Sequence, residues 1–154
     1  MPITQSDIEE LVQAVDRGRD EWINGTLSWD KPDSLIRQAD DATIFGPFGG
    51  VAPPGRAPIV QLDRQKIGAA MFKGGTGQTE FVRAIVEGDL VVLVLVDRSH
   101  VHFDGHEGAE PWMLRITEVF RRESGSWVRV HRHADPLTRF RDLEETLSLQ
   151  QDGA

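Results

Sequence analysis

Glu118 and Arg132 are the charges best placed for chemistry. Taken at every second residue, 112–120 gives Trp112, Leu114, Ile116, Glu118 and Phe120 on one face, against Met113, Arg115, Thr117 and Val119. The stretch 127–134 divides into Val128, Val130, Arg132 and Ala134 against Trp127, Arg129, His131 and His133. Joining the two apolar faces in one sheet turns Glu118 and Arg132 inward. Opposite charges on such a face are either a compensated structural pair or the polar groups of a pocket, since stranding one of them costs about 3–5 kcal/mol. Glu118 would exchange protons if burial raises its pKa, and Arg98 or Arg132 would steady an anionic intermediate. Asp97 and Arg98 lie where the apolar run Leu90 to Val96 turns charged. A slip of a single residue decides which of them joins the cluster.

The histidines raise a metal question. His100 with His102 and His131 with His133 form two HxH pairs, with His106 and Glu107 near the first. The second pair shares the outward face with Trp127 and Arg129, so converging ligands are not supplied, and no metal is expected. No cofactor is implied either, because the Gly-Pro-rich loop from Gly46 to Gly55 lacks a phosphate-binding pattern. Trp127, Arg129, His131 and His133, with Val119 and Met113, would form a large outer patch suited to a homodimer interface.

These side chains must be positioned by a predictable set of elements. Ser6 and Glu9 read as a capping box for a long amphipathic helix carrying Ile8, Leu11, Val12, Val15, Trp22 and Ile23, ended by Asn24-Gly25. A short second helix is expected within Asp30 to Asp40, a short strand at Thr43-Ile44-Phe45, and a third helix from Pro58 to Phe72 closed by Gly74-Gly75. Strands follow from Thr76: Glu80 to Glu87, a turn at Gly88-Asp89, Leu90 to Phe103, and the closing hairpin about Glu123-Ser124-Gly125-Ser126. Beyond Pro136, Leu137, Phe140, Leu143 and Leu147 have weak helical spacing. The expectation is an α+β fold: a cystatin-like cone of three N-terminal helices packed on a strongly curved, mostly antiparallel sheet.

The 154 residues suit a single domain, with a core over about 6–136 and a C-terminal helix or tail over 137–154. A net charge of −8 disfavours nucleic acid and anionic membranes as partners. The absence of cysteine excludes disulfides and thiolate catalysis. The first residues lack the pattern of a secretory signal and the longest apolar run is seven residues, so a cytoplasmic protein is expected.

Two segments carry a family resemblance. Asp40-Asp41-Ala42-Thr43-Ile44-Phe45-Gly46-Pro47 resembles the ketosteroid isomerase segment leading into the first strand. Thr117-Glu118-Val119-Phe120-Arg121-Arg122, with Gly125, Trp127 and Val130-His131-Arg132-His133, resembles the closing hairpin of the calcium/calmodulin-dependent protein kinase II association domain. Both belong to the nuclear transport factor 2-like superfamily, with the SnoaL-like cyclases, so the resemblance implies that fold, a cavity between helices and sheet, and a homodimer. It does not carry over the isomerase reaction. Gly46 stands where the isomerases hold their proton-shuttling aspartate, and the chain has no tyrosine for their oxyanion hole. Glu118 and Ala134 stand where kinase hubs place arginines.

The expected function is therefore binding of a small, partly apolar molecule by Glu118, Arg132, Arg98, Ile116, Phe45 and Phe72. The alternatives are a lyase, isomerase or hydrolase using Glu118 or Asp97 in general acid/base chemistry, and a non-catalytic assembly domain.

Overall fold

Helix α1 (Gln5–Ile23) begins two residues earlier than the Ser6 pattern suggests, because Thr4 supplies the cap. The Asp7 N–H donates to Thr4 Oγ1 at 3.2 Å, and the Thr4 N–H donates to Asp7 Oδ2 at 2.6 Å. This reciprocal pair satisfies orphan donors of the first turn. Leu11, Ala14, Val15 and Ile23 form the buried stripe, and Gly25 leaves the helix at φ +70°. The structure, a computed structural model, describes residues 1–26, 37–51 and 71–150.

The strands are β1 (Arg37–Phe45), β2 (Phe72–Glu87), β3 (Leu90–Phe103), β4 (Ala109–Glu123) and β5 (Ser126–Pro136), followed by helix α2 (Leu143–Ser148). They make one five-stranded sheet in the order β1-β5-β4-β3-β2. β1 runs parallel to β5 and every other pair is antiparallel. The two hairpin turns are tight for a local reason. Gly88 has φ +57°, and Ser124 and Gly125 have φ +49° and +78°, values that match the natural twist of a two-residue hairpin.

α1 lays Leu11, Ala14 and Val15 on Val91, Leu93 and Leu95 of β3 and on Leu114, Ile116 and Phe120 of β4. These strand residues alternate with half-buried or exposed ones, so the sheet has an inner face under α1 and an outer face. At the far end Ile23, Phe72 and Val101 pack with Trp22, Phe103 and Trp112. The outer residues Val92, Val94 and Val96 are only partly covered.

The chain has the expected α+β character with a mixed sheet, but the helices differ. Among the described residues they are α1 and α2 at opposite ends, rather than three at the N-terminal side. The second and third expected helices fall largely on residues 27–36 and 52–70, outside the described residues. Where they extend into the described residues, 37–40 and Phe72 are strand and Met71 is helical. Arg37 and Gln38 pair with Val128 and Arg129 of β5, so sheet pairing overrides a locally helix-compatible sequence. Phe72 opens β2, and Gly74-Gly75 lie within that strand instead of closing a helix. A Cβ on Gly75 would stand 2.3 Å from the His100 carbonyl oxygen, so the glycine permits β2 to approach β3. In α2 the apolar residues Leu143 and Leu147 are exposed, as is Phe140 before it.

Candidate functional site

One irregularity shapes the inner face. Across the last hairpin Glu118 pairs with Arg132 and Val119 with His131, but Phe120 pairs with Arg129, leaving Val130 without a partner. This β-bulge reverses the facing of β5 on its N-terminal side. Arg132 and Ala134 keep the inward facing expected of them. Arg129 and Trp127, expected outside, turn inward: Arg129 is 7% exposed and Trp127 packs on the core beneath α1. Val128, expected inside, pairs with Arg121 and is buried with Ala39, Ala42 and Ile44 instead.

Glu118, 1% exposed, therefore meets two guanidinium groups. Arg132 Nε donates to Oε1 at 2.8 Å, and Arg129 Nη2 donates to Oε2 at 3.0 Å and Oε1 at 3.3 Å. Burial pulls the Arg129 pKa down, Glu118 opposes that pull, and the positive charge of Arg132 adds to it. Two cations thus share one carboxylate. Arg132 is the open member, its side chain 25% exposed. Its Nε is engaged by Glu118, and its two Nη atoms have no hydrogen-bond partner among the described residues.

Asp97, rather than Arg98, takes the inward position. It is 3% exposed, and its Oδ1 accepts from Ser99 Oγ at 2.9 Å and Arg19 Nη1 at 3.3 Å. Burial raises its pKa above 3.8, against the lowering effects of Ser99, Arg19 and Arg132. Arg98 lies on the exposed side and donates through Nε to Glu80 at 3.0 Å. Arg19 also donates to Thr79 Oγ1 and the Gly77 carbonyl, both at 3.0 Å, tying the end of α1 to β2. Burial lowers its pKa, but Asp20, Asp97 and Asp16 together outweigh that and hold it above the ordinary arginine value.

The remaining expected residues separate. Ile116 belongs to the core beneath α1, on the face of Glu118. Phe72 is buried in the aromatic group with Trp22, Phe103 and Trp112. Phe45 stands apart on the outer face, edge-on to His131 at 5.7 Å and His133 at 5.5 Å. There Thr43 Oγ1 and His131 Nδ1 are 2.7 Å apart, and His131 has its pKa lowered by burial and then by His133. His131 and Val92 both align with Val119, placing His131 far down the sheet from His100 and His102. Among the described residues no three His, Cys, Asp or Glu side chains gather as a metal site.

Arg19 and Arg129 were not legible as site residues. Arg19 could have been found, since it continues the stripe Leu11, Val15, Ile23 at four-residue spacing and so faces the sheet. Arg129 could not, because alternation alone does not reveal a bulge.

This arrangement of a helix over a five-stranded sheet, with β1 added in parallel to the last strand, matches solved structures along nearly the whole chain. The fold is NTF2-like. A nuclear transport factor 2-like superfamily protein from Salmonella enterica serovar Typhimurium superposes with a TM-score of 0.68 at 14% identity, covering 92% of this chain and 99% of that one. The S. rosetta CaMKII hub gives 0.66 at 15% identity, over 89% of this chain and 100% of the hub. An NTF2-like protein of unknown function from Rhodospirillum rubrum gives 0.56 at 21% identity, over 83% and 98%. No family model matches the chain. No curated protein matches it by sequence. Among the described residues no helix is long and apolar enough to cross a membrane.

Proposed function

We propose that this NTF2-like chain holds a small, partly apolar molecule on the inner side of the sheet, its polar end at Arg132 and its apolar body along the core strands near Ile116. The observation that carries this reading is the Arg132 guanidinium: anchored through Nε by a buried carboxylate, partly open, with its outer nitrogens unpartnered among the described residues. A buried ion-pair network built for stability alone would have no need of a second arginine that it leaves half satisfied. Steroid isomerisation is not part of the proposal, because Gly46 supplies no base and the chain has no tyrosine. Native mass spectrometry of freshly purified protein should show a bound small molecule that Arg132→Ala removes. Detection of the bare chain alone in both proteins would overturn the reading.

A catalytic reading is favoured by Asp97, whose buried carboxyl is held through Oδ1 with a raised pKa. That suits a proton donor and acceptor beside the Arg132 cation. Under this reading Asp97, rather than the doubly paired Glu118, is the acid/base, and Asp97→Asn abolishes turnover while leaving ligand binding in place.

We further propose that the outer face mediates a homodimer through Phe45, His131, His133 and Val119. The support is an aromatic group on a half-covered sheet face. Light scattering coupled to size exclusion separates this dimer from a larger ring of the assembly-domain kind.

A further inference from the structure

We propose that the ligand carries a carboxylate, and that Gln38 and Arg129 complete its binding site; this inference rests on the ligand-binding reading above. The first support is a set of unmet hydrogen bonds. Both amide atoms of Gln38 and the Nε of Arg129 are buried without a hydrogen-bond partner among the described residues. Such orphans are uncommon in folded proteins and call for an explanation. Gln38 and Arg129 are register partners in the parallel β1–β5 pair, so the two side chains project to the same side of the sheet. They therefore lie together, on the face where Arg129 bonds to Glu118.

The second support is charge. Glu118 brings one negative charge against the two positive charges of Arg129 and Arg132, while Arg19 is paired separately with Asp97, Asp16 and Asp20. The cluster of Glu118, Arg129 and Arg132 thus carries a surplus of one positive charge, in a chain whose net charge is −8. A monoanion neutralises it. A dianionic phosphate would leave a new surplus of negative charge near Asp97, whose field already reaches Arg132.

The third support is geometry. A carboxylate enters beside Arg132, which is 25% exposed, and accepts from its Nη groups, which have no partner among the described residues. Gln38, having no partner to give up, then turns so that Oε1 accepts the Arg129 Nε–H and Nε2 donates to the same carboxylate. One ligand group and one side-chain rotation satisfy every orphan atom of the cluster.

Isothermal titration with hexanoate, hexanamide and hexyl phosphate tests this. Hexanoate should bind roughly tenfold tighter than the other two, the factor expected for a charge-assisted hydrogen bond. Gln38→Leu should weaken hexanoate about tenfold while leaving the melting temperature of the unliganded protein unchanged or higher, since it removes an unpaired buried amide. A Gln38→Leu protein that melts lower but binds hexanoate normally would make the amide structural and overturn its role. Equal binding of hexanamide, or tighter binding of hexyl phosphate, would overturn the carboxylate while leaving the ligand-binding reading intact. If no probe binds and the purified protein is bare, both fall.

Discussion

Arg129 faces Phe120 across the closing hairpin, its guanidinium carbon 5.7 Å from the ring centre, and it does so because Val130 has no partner on β4. One extra residue in β5 thus converts a would-be surface cation into the second counter-ion of Glu118. The aromatic ring and the carboxylate together stabilise a charge that burial disfavours.

Glu118→Gln is therefore a stability variant before it is a functional one. Removing the shared carboxylate strands Arg129 in the core, and the expected loss is about 3–5 kcal/mol. Urea denaturation checks this. A loss near zero would show that Arg129 escapes to water, contrary to its 7% exposure.

Asp97 fixes the sign of a pH effect. Its folded pKa is raised above 3.8, so between that value and the folded pKa the native state binds more protons than the unfolded chain. Its contribution to stability is full below the window and is lost as pH rises through it. Asp97→Asn should lack this slope, so the variant gains on the parent protein as pH is raised. Denaturation of both proteins at a series of pH values, giving parallel curves, would remove burial as the dominant influence on Asp97.

Gly75→Ala should destabilise by about 1–3 kcal/mol, the range for overpacking. The new methyl meets backbone, at 2.3 Å from the His100 oxygen, and backbone of a paired strand yields poorly. Gly105→Ala is the control: no atom lies within 4 Å, and its cost comes from φ +78° alone. Thermal melts of the two variants separate crowding from backbone strain.

Phe45→Glu should give a monomer by light scattering if the outer face is the homodimer interface. It places a charge between His131 and His133 without touching Glu118. An unchanged mass would move the interface elsewhere.

The sequence made most of the sheet legible because alternation is a direct readout of facing. Leu114, Ile116, Glu118 and Phe120 lie on the inner face, and Ser124-Gly125 forms the tight turn. What it hid depends on pairing between distant strands. Trp127-Val128-Arg129-Val130 alternates equally well with either facing, and the unpaired Val130 that decides the matter is a property of register with β4. Gly74-Gly75 reads as a helix stop by local rules, whereas its role comes from how closely β3 passes. Arg37 to Asp40 has no strong strand propensity and is strand because β5 offers a free edge.

That last pairing orders events during synthesis. Among the described residues β1 has β5 as its sheet neighbour, so the sheet hydrogen bonds of residues 37–45 cannot form until residues 126–136 exist. The β2–β3–β4 meander can zip locally as it emerges, while the earlier strand waits until everything from Gly46 to Gly125 has been made. Closure of such a long loop is slow, and the delayed strand is the segment most in need of shielding from other nascent chains.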